Sequence, residues 1–215
     1  MSRKHNVTAA EFVPDTVSIP VLREAAKLCR GCALWERATQ TVFGEGAVSA
    51  EIVLVGEQPG DHEDRAGLPF VGPAGRLLDR ALLQAEIDRS RCYVTNIVKH
   101  FKWEPRGKYR IHKKPNSVEI SACKPWFDAE VKALHPKVIV CLGATAAQAL
   151  LGAKFRVTQQ RGELITDNRG LTYIATVHPS SILRADDDTR DEQMHLFVRD
   201  LQQVSRTLNA VHRVA

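Results

Sequence analysis

Four short apolar runs punctuate the chain: EIVLVG (51–56), CYVTNIV (92–98), KVIVCLG (137–143) and LTYIATV (171–177). Each is apolar nearly throughout rather than alternating, the pattern of a strand covered on both faces. Between them the spacing changes to a helical period in AGRLLDRALLQAEI (74–87), SVEISACKPWFDAEVKAL (117–134) and ATAAQALLG (144–152). Ahead of the first run, PVLREAAKLCRGCALWERA (20–38) predicts a helix with Pro20 in its first turn and Cys29 and Cys32 late in it. A last amphipathic helix is expected from Asp191 to Asn209. Strands alternating with helices predict the α/β class: a three-layer αβα sandwich around a central four-stranded, mainly parallel sheet. No repeat or linker divides the chain, so residues 18–215 are expected to form a single domain behind a flexible N-terminal leader, residues 1–17.

In such sheets ligands bind beyond the carboxyl ends of the strands. The four ends carry GEQPGD, the long KHFKWEPRGKYRIHKK, a small GATAAQ turn, and HPSSILR. In the first, Pro59 and Gly60 force a tight turn that can aim Glu57 and Gln58 into a cleft. It lacks the spacing of a P-loop or a dinucleotide fingerprint, which removes support for nucleotide hydrolysis and hydride transfer. The last suits a wedge, with Ile182 and Leu183 pushed into a base stack and Ser180, Ser181 and Arg184 on phosphates.

Charge sharpens this picture. The net charge is +5, which favours a polyanionic partner, and residues 99–114 alone hold seven Lys or Arg against one acid, Glu104. Pro105, Gly107 and Pro115 deny this stretch a continuous helix, so it is expected to be an irregular basic loop that touches phosphates. No apolar run reaches 18 residues, so no membrane span is expected. The first twenty residues lack the apolar segment of a secretory signal, which predicts a reducing cytoplasm in which the five cysteines are not a disulfide framework.

Cys29-Arg-Gly-Cys32 is a C-x-x-C pair without a preceding strand, which favours a metal clip over a thioredoxin-like pair. Cys123, in CKPW, is a third candidate ligand. Cys92 and Cys141 lie in or beside apolar strands as small buried thiols, and His100 is the remaining option for a fourth. Chemistry allows either zinc or a [4Fe–4S] cluster with one histidine ligand, and spacing does not choose between them.

In order, GEQPGDHEDRAGLPFVGPAG, YVTNIVKHFKW, CKPW and HPSSILR resemble the uracil-DNA glycosylase superfamily, in the iron–sulfur branch that includes family 4, over about residues 20 to 207. Within that branch the chain looks most like the UdgX type. Family 4 typically has a cysteine where this chain has His100, and lacks a histidine-bearing basic insertion. UdgX proteins have the histidine ligand and a loop written K-R-R-I-H whose histidine bonds covalently to DNA. Here the loop reads Lys108-Tyr109-Arg110-Ile111-His112, with Tyr109 in place of the usual arginine.

The resemblance implies the uracil-DNA glycosylase fold and a [4Fe–4S] cluster, rather than zinc, on Cys29, Cys32, His100 and Cys123. It implies uracil-containing, preferably single-stranded DNA as substrate and free uracil as product. Phe70 would stack on the base, and Asn96 would read its Watson–Crick edge, since an amide matches N3–H and O4 of uracil and opposes the reversed pattern of cytosine. His178 would donate to the departing uracil anion. Gln58, Gly60 and Asp61 would help seat base and sugar, and Lys108, Arg110, Lys113 and Lys114 would meet DNA. Glu57 would orient water or stabilise the sugar cation. In the UdgX reading His112 replaces water, kept neutral by surrounding cations, and the protein remains on DNA after one turnover. The alternative is a conventional multiple-turnover, family 4-like enzyme. A third reading, a non-catalytic iron–sulfur DNA-binding module, conflicts with the presence of Glu57, Asn96 and His178. A cytoplasmic monomer is expected, associated with the nucleoid when on DNA.

Overall fold

The computed structural model describes residues 8–214, with side chains through Leu208. Residues 1–7 of the expected leader lie outside the described residues. The packed chain begins well before residue 18: Ala9, in a 3₁₀ turn, is fully buried, and Phe12 and Val13 lie against the same core. Helix α1 (Ile19–Ala26) has Pro20 in its first turn but ends before Cys29, and Cys32 opens a separate 3₁₀ turn, so the two cysteines sit in a bend rather than late in a helix.

The chain continues through β1 (Glu45–Gly46), β2 (Ile52–Gly56), α2 (Asp61–Ala66), α3 (Pro73–Gln84) and β3 (Cys92–Asn96). It then forms β4 (Trp103–Arg106), β5 (Tyr109–His112), α4 (Ser117–Leu134), β6 (Val138–Leu142) and α5 (Ala144–Leu151). The last elements are α6 (Val157–Gln160), β7 (Leu164–Thr166), β8 (Thr172–Thr176), α7 (Pro179–Leu183) and α8 (Asp187–Val214).

The central sheet has six strands, in the order β1-β3-β2-β6-β8-β7, rather than four. The four anticipated runs are its parallel strands β3, β2, β6 and β8, and β1 and β7 pair antiparallel on the two edges. Those edges are only two and three residues long, too short to carry a readable period. In β2, Val53 and Val55 face a layer with α1, α4 and α5, while Ile52 and Leu54 face α3, α7 and α8. Alternation on strands buried on both faces thus produces the three αβα layers. Strand order reverses between β2 and β6, which opens a crevice at their carboxyl ends.

The basic stretch is regular, contrary to the expected irregular loop. It is a β4–β5 hairpin with Trp103 opposite His112 and Arg106 opposite Tyr109. Gly107 opens the two-residue turn with φ +59°, a conformation that suits glycine at the first position of a hairpin turn. Pro105 is tolerated because the two-stranded ribbon leaves its other edge unpaired.

Candidate active site

A cleft of about 640 Å³ opens at the reversal point. Glu57 and Gln58 enter it from the end of β2, Asn96 from the end of β3, and Thr145 from the first turn of α5. His178 and Ser180 follow β8, and His112 and Lys114 come from the hairpin. Gly60, Phe70 and Arg184 complete the part of the wall that the sequence singled out; Asp61 and Ser181 are not on it.

One wall presents an edge and a ring. Asn96 is 2% exposed, and a Cβ on Gly56 would stand 2.4 Å from its Oδ1 and 2.9 Å from Phe70 Cζ, so only glycine leaves room for both side chains. Phe70 has φ +56°, unusual for a bulky residue. Buried Glu63 ties its loop by accepting from Gly60 N at 3.1 Å and Gly72 N at 2.7 Å, a carboxylate whose role was not drawn from the sequence. The Phe70 and His178 rings are 6.1 Å apart and 29° from parallel.

The proton on His178 is fixed by its neighbours. The main-chain N–H of Ser180 donates to Nδ1 at 3.1 Å, and burial, with help from Arg184 and His112, holds the ring's pKa down at about 4. At neutral pH the imidazole is uncharged and carries its hydrogen on Nε2, as a donor.

Glu57 and His112 face each other, with Oε1 and Nε2 3.3 Å apart. The Thr145 hydroxyl donates to the other Glu57 oxygen. Thr145 belongs to the small turn after the third run; a hydroxyl one residue into the helix after a parallel strand is the signal that could have found it. The pKa of His112 is lowered chiefly by burial, opposed by Glu57 and assisted by Arg184. Like-charge repulsion from the hairpin's own lysines and arginines, the expected cause, is not what lowers it.

Most of the seven cations are held in ion pairs. Lys99 is fully buried, with Nζ 2.6 Å from Glu130, and also donates to Thr95 Oγ1 and Asn96 O. Lys102 pairs with Glu119 and Lys113 with Glu104. Arg110 binds Asp61 and, at 2.7 Å, the fully buried Asp64, and is turned inward onto α2 rather than outward to a phosphate. Asp61 is accordingly engaged by Arg110 and Arg65. Gln58 is a clamp: its amide donates to Lys102 O and Lys113 O at 3.2 and 3.0 Å and accepts from Lys102 N at 3.1 Å, closing the hairpin's base. Among the described residues no carboxylate pairs with Arg106, Lys108 or Lys114.

In the HPSSILR segment, Ile182 is fully buried in the core and cannot act as a wedge, whereas Leu183 is exposed. Ser181 Oγ donates to His178 O at 2.7 Å and shapes the turn.

The three expected thiol ligands share one side of the sheet. Cys29 and Cys123 are buried and Cys32 is half-buried; the thiols are close enough to affect one another's ionisation. Burial pushes Cys123 up to about 12, and Lys99 N donates to its sulfur at 3.2 Å. His100 is 3% exposed, its Nε2 is 2.9 Å from Thr41 Oγ1, and its Nδ1 has no hydrogen-bond partner. An orphaned buried imidazole nitrogen, one residue on from the Lys99 N–H that reaches the Cys123 sulfur, suits an iron–sulfur ligand. Among the described residues no three His, Cys, Asp or Glu side chains form a group that could hold a metal ion. Ligands of a single zinc would converge to about 2.3 Å from one point, whereas ligands of a cluster surround a larger body. No helix among the described residues is long and apolar enough to cross a membrane.

Comparison with known proteins bears on this geometry. A profile described as the Uracil DNA glycosylase superfamily matches residues 43–202. A Type-4 uracil-DNA glycosylase of Thermotoga maritima is 36% identical over 183 residues, covering 85% of this chain and 90% of the relative. One of Sulfurisphaera tokodaii is 33% identical over 174 residues, covering 77% and 76%, and one of Archaeoglobus fulgidus is 36% identical over 162 residues, covering 72% and 78%. The profile spans the whole central sheet and every strand end that lines the cleft, and on that match the chain belongs to the uracil-DNA glycosylase superfamily.

Proposed function

We propose that the protein excises uracil from DNA, preferentially single-stranded, by breaking the N-glycosidic bond in this cleft. The observation that carries the reading is His178, whose Nδ1 accepts from Ser180 N and so leaves Nε2 to donate, beside the buried Asn96 amide and the Phe70 ring. Uracil leaves as an anion and its sugar as a cation, so a fixed donor near the base stabilises what develops in the transition state. Phe70 stacks on the extruded base and Asn96 pairs with N3–H and O4. Gly60 lines the seat, while Ser180, Arg184 and Lys114, which share the cleft wall, would meet sugar and phosphate. Cys29, Cys32, His100 and Cys123 would hold a [4Fe–4S] cluster, which would brace this side of the sheet; base excision itself transfers no electron.

The curated relatives support best a conventional, multiple-turnover outcome in which Glu57 orients water towards C1′. One observation favours a second outcome, of the UdgX type: His112 stands on the cleft wall against Glu57. A lone pair of the neutral imidazole would then form the C1′–N bond after the bond to uracil has broken with its electrons on the base. The ring would shed its proton to Glu57, leaving a neutral N-linked imidazole that is a poor leaving group.

Mixing the protein with a labelled single-stranded oligonucleotide holding one uracil, boiling in SDS and running a denaturing gel beside His112→Ala separates the outcomes. A heat-stable shifted band that the substitution removes means capture by His112. An unshifted strand that breaks at the uracil in alkali means hydrolysis with turnover. An intact, unshifted strand overturns the proposal.

A further inference from the structure

The hairpin has a second face. Opposed residues of an antiparallel pair share a side and neighbours alternate, so the register puts His112, Trp103, Arg110 and Pro105 on one side and Tyr109, Arg106, Ile111 and Glu104 on the other. The first side is turned to the protein: Arg110 is anchored on α2, Trp103 Nε1 donates to Arg37 O, and His112 lines the cleft. On the second, Tyr109 is 63% exposed and Ile111 40%. Lys108 Nζ lies 5.5 Å from the Tyr109 ring centre, and Arg106 is its cross-strand neighbour. These two cations are the ones near the turn that no carboxylate neutralises among the described residues.

We infer that Tyr109, flanked by Arg106 and Lys108, is a stacking subsite for a base next to the uracil in single-stranded DNA, the two cations meeting the phosphates of that stretch. The inference rests on the uracil-DNA reading above. An exposed ring among unpaired cations is the combination that binds single strands, because every base offers a π-face and every linkage a negative charge. The subsite lies on the opposite side of the ribbon from the cleft: three steps along β5 place Tyr109 about 10 Å from His112, within reach of a nearby nucleotide of a strand that rounds the ribbon's edge. Lys108 covers one side of the ring and leaves the other to a base, and Ile111 extends the apolar surface beneath it.

The test uses the full chain and a single-stranded oligonucleotide with 2′-fluoro-2′-deoxyuridine, whose fluorine disfavours the C1′ cation and keeps the strand whole, and with 2-aminopurine on either side of it in turn. The wild type is expected to quench 2-aminopurine on one side. Tyr109→Ala should abolish the quench and weaken binding about tenfold, within the range for loss of one stacked base, without changing the salt dependence; Tyr109→Phe should keep both. Lys108→Ala should keep the quench and reduce the slope of log affinity against log salt by about 0.7. Unchanged affinity and quench in Tyr109→Ala would overturn the subsite alone, leaving Tyr109 and Ile111 a surface for another class of partner. A reduced salt slope in Tyr109→Ala without a quench in the wild type would also overturn it, in favour of a phosphate contact. A wild type that does not prefer this strand to its thymine counterpart overturns the uracil reading and the subsite together.

Discussion

A methyl group on Gly56 would arrive 2.4 Å from Asn96 Oδ1 and 2.9 Å from the Phe70 ring. Neither neighbour can retreat, because Asn96 is buried and Phe70 is held in a loop closed by Glu63. Gly56→Ala is therefore expected to lower uracil release at least a hundredfold while circular dichroism stays that of the wild type. One histidine of the cleft sets the pH response. His178 has a pKa lowered to about 4 by burial, so it is neutral above that value and gains a proton on Nδ1, against the Ser180 N–H, as pH falls. Uracil release should be flat from about pH 6 to 8 and fall towards pH 4 in a pH–rate profile. Stability follows the same sign: between the ordinary histidine value and about 4 the unfolded chain binds the proton that the folded chain refuses, so acidification through that window destabilises the fold. At this scale the residues of the strand-end motifs were legible. Arg110 was legible as a residue and misread as a contact, because its partner, Asp64, is remote in sequence, and so is the hairpin main chain that Gln58 holds.

The hairpin shows what happens to a charge run when its elements are in place. Alternation in Tyr109-Arg110-Ile111-His112 is a strand signal, but four residues between a turn and a proline are too few to outweigh seven cations in a sequence reading. The partners of Lys99, Lys102 and Arg110 lie on α4 and α2. Arg110→Ala leaves Asp64, which is fully buried, without its cation; a loss of about 3 kcal/mol in urea unfolding is expected. If His112 captures the sugar, that substitution should also reduce crosslinking more than it reduces uracil release. Helices were read more faithfully than strand edges, with one exception: α1 stops before its cysteines, and buried Cys29 lies in a bend ahead of a separate 3₁₀ turn that Cys32 opens.

Across the whole molecule, the order of four apolar runs and the helices between them was enough to anticipate the layers and the side on which the cleft opens. The buried ion pair beneath that cleft was not. Lys99 and Glu130 are both fully buried, and Glu130 also accepts from Tyr93 Oη, Thr95 Oγ1 and Gly44 N. They join α4 to the end of β3 and, through Lys99 N, to Cys123. Lys99→Met or Glu130→Leu alone should cost about 3 to 5 kcal/mol, since each strands a buried charge. The double substitution should cost less than their sum by about 2 kcal/mol in a denaturation cycle. A lysine in a basic run gives no sign that it faces inward; only the fold distinguishes it from its neighbours.

The hairpin leaves the scaffold and returns to it at one place: Lys113 N donates to Lys102 O at 2.9 Å, and Gln58 grips both. A segment with adjoining ends is detachable. Replacing residues 103–112 by a short turn should leave the sheet standing but strand Asp64, and moving them into a relative would need the glutamine that holds the stem and the aspartates that Arg110 binds. If His112 captures the sugar, whether such a protein is reused or consumed would then be decided by an exchangeable ribbon, separate from the machinery that recognises the base.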